Sequence, residues 1–366
     1  MTEPKKRRGC LGCSFPILII ILVIFLALTI VGFLSGAIGQ EMLQKYGIDI
    51  TFPSWMTIEK PAPHLPAPEL FHVLGLPITN TMIASWITVI VLVIISVIVT
   101  RRMKIVPGRL QTLFEALLGW LFDLCKSIAG DANGRRFFPV IATIFLFVFL
   151  NAWLSLIPGF GSIETKEYAL IPEDAHIETI PAEGNQPEHK VVLIDHKEYE
   201  IVDVDGKEMM EKRNELIRGA NTDVNTTMAL AVISFIFVAY FGFKTLGISW
   251  LRQYFNFGPF FRSLGKAFKG KLDFMGIFSG AIDIFVGFLE LLGRFITIIS
   301  FTFRLFGNMT AGEILLLITA FLIPYILALP FYGLELLIGA IQAFIFAGLT
   351  LVFVTMAVTP HSEESH

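Results

Sequence analysis

Residues Gly276–Leu327 read GIFSGAIDIF VGFLELLGRF ITIISFTFRL FGNMTAGEIL LLITAFLIPY IL and form the longest apolar run of this chain. A helix rises about 1.5 Å per residue, whereas the hydrocarbon core of a bilayer is about 30 Å thick. We therefore expect this segment to tilt strongly, to break, or to begin along the membrane surface. Pro324 and Pro330 predict a turn, and a last apolar segment follows from Phe331 to Val358. The pattern predicts a long tilted hairpin in a membrane.

The overall composition is that of a membrane protein. Of 366 residues, 54% are hydrophobic and only 16% are charged, against roughly 25% charged residues in soluble domains. Further apolar segments that are long enough to cross a bilayer lie at about 15–38, 81–100, 137–158 and 223–246. We predict an all-α polytopic membrane protein with about five membrane helices after residue 40 and one extra N-terminal span.

The N-terminal segment has two interpretations. Lys5-Lys6-Arg7-Arg8 precede the first apolar run, as in a secretory leader. That run is longer than the roughly 7–15 residues of a leader's apolar body, which favours a retained span. Removal as a leader stays the alternative.

Cysteines are too few for a disulfide framework. The chain has three, Cys10, Cys13 and Cys125. Cys10-x-x-Cys13 lies between the basic leader and the apolar run, without further metal ligands nearby. Reversible lipidation or the absence of a role therefore explains this pair better than a metal or redox site.

The charges of the loops predict one orientation. Segment 101–136 holds seven basic and three acidic residues, and segment 244–273 holds six basic residues against Asp273 alone. Segment 162–218 is the reverse, with 15 acidic and seven basic residues. The positive-inside bias then places the first two segments and both termini in the cytoplasm, with the acidic segment outside.

These assignments predict eight consecutive parts of the chain. They are a basic cytoplasmic leader (1–12), an extra span or signal (13–39), an external loop (40–80), two spans with a basic loop between them (81–158), an acidic external insert (159–222), a span with a basic cytoplasmic loop (223–275), the long hairpin (276–358) and a cytoplasmic tail (359–366).

The acidic insert contains one candidate hairpin. His189–Ile194 and Tyr199–Val204 are rich in β-branched residues and flank Asp195–Lys197. His176, His189 and His196 are scattered around it, with no repeated ligand spacing. We expect solvated surface here rather than a metal site.

Arg304 is the residue on which the functional interpretation depends. A charged side chain at bilayer depth costs about 2.5–3.5 kcal/mol on insertion scales. Arginine does not deprotonate in proteins, so this side chain is a fixed cation and not a proton carrier.

Acidic and amide residues form two polar tracks that approach Arg304. Asn308, Glu290 and Asp283 lie four residues after, 14 before and 21 before Arg304, all close to its helical face. Glu313 is nine residues beyond Arg304 and points to about the opposite side. In the last segment, Glu335 and Gln342 are seven residues apart and share a face.

Each of these features also has a structural explanation. Glu313 and Glu335 would suit a hydrogen-bonded carboxylate pair between two helices. Glu290 would also suit a snorkelling side chain or an ion pair with Arg294 at i,i+4. Gly307 and Gly312 permit close helix packing, either with another subunit or within this chain.

At this point the motifs resemble a known family. Arg304–Glu313 is similar to the signature of the a subunit of F-type ATP synthases, with Thr310 at a variable position. Further segments resemble the family's other motifs in the same order, namely Pro77–Thr81, Asn151–Gly159, Asp223–Thr227 and Ile341–Phe346. The similarity covers roughly 72–158 and 219–358, so the first span and the acidic insert look like additions.

The resemblance implies roles for the residues of both tracks. The family's essential arginine falls on Arg304, its following acid on Glu313, and its partner in the last helix, a His in some members, on Glu335. The residues implied to line the outer half-channel also include Gln342, Asn225 and Asp223. The inner half-channel would contain Glu290 and Asn308, to which the spacing adds Asp283.

The implied function is ion transfer to a rotor. The two half-channels would load and unload protons on carboxylates of the c-subunit ring, and Arg304 would prevent leakage between them. The implied partners are the c ring, the b-subunit peripheral stalk and the bilayer of a prokaryotic plasma membrane, with no cofactor, no metal and no nucleic acid. A phosphate-binding loop of the G-x-x-x-x-G-K-[ST] type is missing from the sequence, so nucleotide chemistry would belong to partner subunits.

Two other classes of protein remain as alternatives. A self-contained channel or secondary transporter usually has repeated halves or broken helices around a central site, and neither pattern occurs in this sequence. A purely structural scaffold would leave Arg304 without a purpose.

Overall fold

The structure is a computed structural model. The structure describes residues 15–48, 50, 52–53, 56–58, 67–73, 75–101, 103–157, 164–172, 176–180, 189–194, 197–204, 207–252, 254, 258 and 274–359. Cys10, Cys13, Pro158, Gly159, His196 and the tail from residue 360 lie outside these ranges.

Long helices dominate the described residues. They are α1 (Phe15–Ser35), α2 (Ala37–Lys45), α3 (Asn80–Arg101), α4 (Arg109–Ser155), α5 (Val224–Leu246), α6 (Ser249–Arg252), α7 (Phe274–Leu322) and α8 (Ala328–Val358). Six of the described helices (α1, α3, α4, α5, α7 and α8) are long and apolar enough to span a membrane. This confirms the prediction of an all-α polytopic membrane protein.

Helix α4 contains a sharp break at Gly130. Its φ of 78° and ψ of 167° are a conformation that only glycine adopts readily. A Cβ added at Gly134 would lie 2.8 Å from the carbonyl oxygen of Cys125, so the backbone passes close to itself at this break. The prediction of a loop over 101–136 is therefore wrong in part, because the segment is helical from Arg109 to the break.

The hairpin predicted at the C-terminal end consists of α7 and α8. The turn between them begins after Leu322 and ends before Ala328. Tyr325 has a φ of 74°, a conformation that side-chain residues seldom adopt. Pro330 falls in the first turn of α8 and not in the loop. In the first turn of a helix its missing N–H costs no hydrogen bond.

The acidic insert forms a five-stranded sheet. Its strands are β3 (Glu164–Leu170), β4 (His176–Ile180), β5 (His189–Ile194), β6 (Lys197–Val204) and β7 (Lys207–Glu215), in the spatial order β3-β7-β6-β5-β4. Strands β5 and β6 are antiparallel, with Val192 opposite Tyr199, which confirms the predicted hairpin. A separate pair, β1 (Glu69–Val73) and β2 (Leu76–Thr79), directly precedes α3.

The described residues fall into two compact units. One unit combines the described parts of 1–64, 164–214 and 311–336, and the other those of 65–163, 215–310 and 337–366. The second unit holds a core of aromatic and aliphatic side chains from α4, α5, α7 and α8. Within it, the ring of Phe137 meets that of Phe241 at 5.0 Å, and that of Phe301 meets that of Phe346 at 4.9 Å.

Candidate functional site

Arg304 lies on α7 at the border between the core and the exposed face. Its neighbour Leu305 is fully buried, whereas Phe303 is 57% exposed. The guanidinium carbon is 5.7 Å from the centre of the Phe301 ring. No carboxylate in the described part of the chain forms an ion pair with Arg304. The cation therefore has an aromatic neighbour but no counter-ion among the described residues.

Asn308 and Gln342 form a hydrogen bond across the hairpin. The Asn308 side-chain amide donates to Oε1 of Gln342 at 2.7 Å. Gln342 is 2% exposed, and its Nε2 has no hydrogen-bond partner among the described residues. The sequence assigned these two residues to different half-channels, but their side chains are in direct contact.

Glu335 is a deeply buried carboxylate on α8. It is 4% exposed, and its Oε1 has no hydrogen-bond partner in the described part of the chain. Gly312 of α7 makes room for it, since a Cβ at that position would overlap the carboxylate. Glu313, the next residue of α7, is partly buried.

Glu290 and Arg294 form the i,i+4 ion pair that the sequence suggested. Nη2 of Arg294 lies 3.7 Å from Oε1 of Glu290, and both side chains are partly buried. Asp283 lies seven residues before Glu290 on the same helix and is also partly buried. The interpretation of Glu290 as a structural ion-pair partner therefore remains available beside a role in an ion path.

Asp223 caps the N-terminus of α5. Its Oδ1 accepts a hydrogen bond from the backbone N–H of Asn225 at 2.9 Å. Its Oδ2 accepts one from the Thr81 hydroxyl of α3 at 2.8 Å. Asp223 is buried and Asn225 is exposed, so this cap joins two helix ends beside an accessible surface.

A cavity of about 750 Å³ adjoins this cap. Asp223 and Asn225 line it together with Glu69 of β1, Ser85 of α3 and Phe306 of α7. Phe306 is two residues after Arg304 in the chain. The cavity therefore extends from the ends of α3 and α5 to the part of α7 that carries the arginine.

Several of these neighbours are absent from the sequence-based prediction. Thr81 belongs to a recognised motif, but its partner lies 142 residues away, which no local pattern reveals. Glu69 lies between the spans predicted at about 15–38 and 81–100 and belongs to none of the recognised motifs. A second buried contact, between the hydroxyls of Ser234 and Thr350 at 2.6 Å, joins α5 to α8.

Within the described ranges, no group of three His, Cys, Asp or Glu side chains is placed to hold a metal ion.

Comparison with known proteins shows the family to which this sequence belongs. The model of the family described as "ATP synthase A chain" matches residues 82–355, well over half of the chain. ATP synthase subunit a of Geotalea daltonii is 26% identical over 270 residues, which cover 74% of this chain and 83% of that protein.

Other bacterial relatives agree with this match. ATP synthase subunit a of Citrifermentans bemidjiense is 26% identical over 288 residues, 78% of this chain and 91% of the relative. ATP synthase subunit a 3 of Pelobacter propionicus is 26% identical over 282 residues, 77% and 87%. The chain thus belongs to the ATP synthase A chain family, the membrane subunit a of F-type ATP synthases.

Proposed function

We propose that this subunit provides two offset half-channels that load and unload protons on the carboxylates of a c-subunit ring, with Arg304 as the barrier between them. The observation that carries the proposal is the state of Arg304. It is a permanent cation at the border of the exposed face of α7, and none of the ion pairs found between described residues includes it. A carboxylate supplied by another subunit would complete its electrostatic environment.

The exposed face of α7 suits a neighbouring subunit. Phe285, Phe288, Phe295, Ile296 and Phe303 are all more than half exposed on this helix. Gly307 adds a position where a Cβ would meet no atom within 4 Å. Large apolar side chains beside an open glycine support close packing with the helices of the c ring.

The outer half-channel is proposed to begin at the cavity beside α3 and α5. Asp223 and Asn225 line this cavity together with Phe306 of α7. Glu313 and Glu335 are assigned to the same half-channel from the family resemblance. Glu335 is 4% exposed, and its Oε1 has no hydrogen-bond partner among the described residues, which leaves this oxygen open to a donor such as a water molecule.

The inner half-channel is proposed to follow the face of α7 that carries Asp283 and Glu290. Arg294 compensates the charge of Glu290 without removing it from the path, because the contact of 3.7 Å is loose. Asn308 hydrogen-bonds to Gln342 near Arg304 on the chain, so this pair is proposed as one element beside the arginine.

The mechanism follows from electrostatics. A c-ring carboxylate crosses lipid only in its protonated form, because an unpaired charge in lipid is too costly. Opposite Arg304 the same carboxylate ionises, since a neighbouring cation stabilises the charged form. Protons arrive through the outer half-channel and leave through the inner one, and each release turns the ring by one subunit. Arg304 accepts no proton, so it blocks direct transfer between the half-channels.

The proposed setting is the plasma membrane of a prokaryote, with both termini in the cytoplasm. The basic segments around residues 101–136 and 244–273 support this orientation through the positive-inside bias. The b-subunit peripheral stalk is the second proposed partner, on the basis of the family alone.

Substitution of Arg304 tests the proposal. In vesicles that contain the whole complex, Arg304→Ala is expected to abolish proton-driven ATP synthesis while the subunit still assembles. Lys244→Ala, which removes an exposed cation from the last turn of α5, is the matched control and should behave as the wild type. Full coupled synthesis by the Arg304→Ala complex would refute the assigned role.

A further inference from the structure

Helix α1 meets the turn of the α7–α8 hairpin at its C-terminal end. A Cβ at Gly32 would overlap the carbonyl oxygen of Pro324, and one at Gly36 would overlap that of Leu322. Ser35 lies between the two glycines and is only 2% exposed. By contrast, Ile20, Leu22 and the other large side chains toward the N-terminus of α1 are exposed on every side of the helix. The contact is therefore confined to one end of α1.

The spacing of these glycines matches close helix packing in membranes. Gly32 lies in the last turn of α1, and Gly36 directly follows the end of that helix, where its N–H still bonds to the carbonyl oxygen of Gly32 at 3.0 Å. Two small residues at this spacing let another backbone approach to contact distance. Here the approaching backbone is the hairpin turn itself, within the same compact unit. The apolar body of a leader requires length and hydrophobicity, but it does not require two glycines fitted to a turn about 290 residues later.

The turn between α7 and α8 contains an unfavourable backbone conformation that packing contacts must stabilise. Tyr325 holds a positive φ, and its ring carbon Cδ2 would be 3.5 Å from a Cβ at Gly32. A residue other than glycine keeps such a conformation only where contacts with the surrounding structure hold it there. Pro324 beside it is buried. Helix α1 supplies part of those surroundings.

The conformation of the turn sets the register of the two helices that it joins. In the present register the Glu335 carboxylate fits over Gly312. A slip of one residue would rotate either helix by about 100° and bring a side chain against that carboxylate. The position of Glu335 thus depends on the turn, and the turn on α1.

We infer that α1 is retained in the mature subunit, and that Gly32 and Gly36 are positioning residues that fix the register of the hairpin and hence the place of Glu335. The link to ion transfer rests on the function proposed above. The retention of α1 does not depend on it.

The first test is the mass of the subunit in the purified complex. An intact mass that includes residues 15–36, with a sequenced peptide from α1, is expected. A mature chain that begins after Gly36 would overturn the inference, whatever the variants of Arg304 do.

The second test replaces the glycines and measures proton-driven ATP synthesis as the pH of the proton-supplying compartment is varied. Gly36→Ala and Gly36→Leu should lower the rate several-fold and shift its dependence on that pH, because Glu335 is displaced. Ala27→Leu adds similar bulk at an exposed position of α1 and should match the wild type.

Two results would contradict the positioning role. The first is a lower rate with an unshifted pH dependence, which a smaller amount of correctly built complex would produce. The second is wild-type behaviour of Gly36→Ala. If Gly36→Leu does not assemble, the pH dependence of Gly36→Ala decides alone. Loss of synthesis in Arg304→Ala beside either result would leave the proposed function standing.

Discussion

Among the residues that the structure describes, the charge of Arg304 has an aromatic contact with Phe301 but takes part in none of the ion pairs. Its cost at bilayer depth is about 2.5–3.5 kcal/mol. The aromatic contact with Phe301 returns about 0.5–2 kcal/mol, according to how far the pair is desolvated. The free-energy cost that remains is of the size that a carboxylate from another subunit would offset. This balance explains why a subunit would keep an arginine there and expose it on the border of its apolar face.

The Asn308–Gln342 hydrogen bond gives a prediction at the scale of residues. Asn308→Ala should slow proton-driven ATP synthesis, because it leaves the buried Gln342 amide without its partner, at a cost of about 1–3 kcal/mol. Gln342→Ala should act in the same direction. The double variant should be no slower than the worse single variant. Synthesis rates and thermal unfolding of the purified complex measure both effects.

The double-mutant cycle also tests whether Asn308 and Gln342 belong to two separate half-channels or form one element. If the two effects on the rate multiply fully, Asn308 and Gln342 act independently and belong to separate paths. A coupling energy close to the smaller of the two single effects, about 1–3 kcal/mol, would instead support one shared element. Thr297→Ala on the same helix, which removes a hydroxyl bonded only to its own helix among the described contacts, is the control.

The spacing of residues predicted which side chains share a helical face, but it did not predict which residues of other helices they contact. The helical period placed Glu290 beside Arg294 and kept Asn308 near the face of Arg304, because those relations lie within one helix. The contact of Asn308 with Gln342 depends on the length of a turn about 14 residues further on. The bond between Thr81 and Asp223 depends on the packing of two distant helices. Neither relation is encoded in local sequence.

At the scale of elements, Gly307 and Gly312, two of the six glycines of α7, are expected to respond differently to substitution. Gly312 faces Glu335, and Gly307 faces open space. Gly312→Val should overpack the hairpin, at about 1–3 kcal/mol, and lower the membrane content of the subunit. Gly307→Val should leave that content unchanged and lower ATP synthesis, because the proposed ring lies on that side.

Immunoblots of membranes and synthesis rates separate these two outcomes. Gly333→Val, on α8 at another position with no atom near a Cβ, serves as the control for bulk alone. Full synthesis in Gly307→Val would mean that this face of α7 meets lipid. A normal content of the Gly312→Val subunit would contradict the close fit around Glu335.

Element boundaries were predictable where the apolar signal was strong. The turn between α7 and α8 follows from Pro324, but the helix that starts at Arg109 was missed, since its mixed charges resemble those of a loop. The hairpin of β5 and β6 was visible from its β-branched residues. The remaining strands of the insert, such as Lys207–Glu215, are too polar to show a periodic pattern.

At the scale of the whole molecule, the chain is a non-catalytic membrane subunit of an ATP synthase, and its acidic insert is a separate sheet. Strands β3 and β7, the first and last of the insert, are neighbours in that sheet. Residues 165–215 include most of this sheet, so they can be removed as one block.

Removal of the insert tests whether it contributes to ion transfer. A complex with 165–215 replaced by a short Gly-Ser linker should assemble and pump protons at close to the wild-type rate. ATP-driven acidification of vesicles measures this rate. Normal assembly with a loss of proton flux would place the insert within the ion path.

The most direct test of the account is passive proton flux through the membrane sector without nucleotide. We expect Arg304→Ala vesicles to conduct protons without synthesising ATP, because no fixed cation then separates the half-channels. Glu335→Gln, which keeps the arginine but cannot carry a proton, should reduce flux in the same assay. A flux through Arg304→Ala that stays at the wild-type level, together with intact coupled synthesis, would contradict the account.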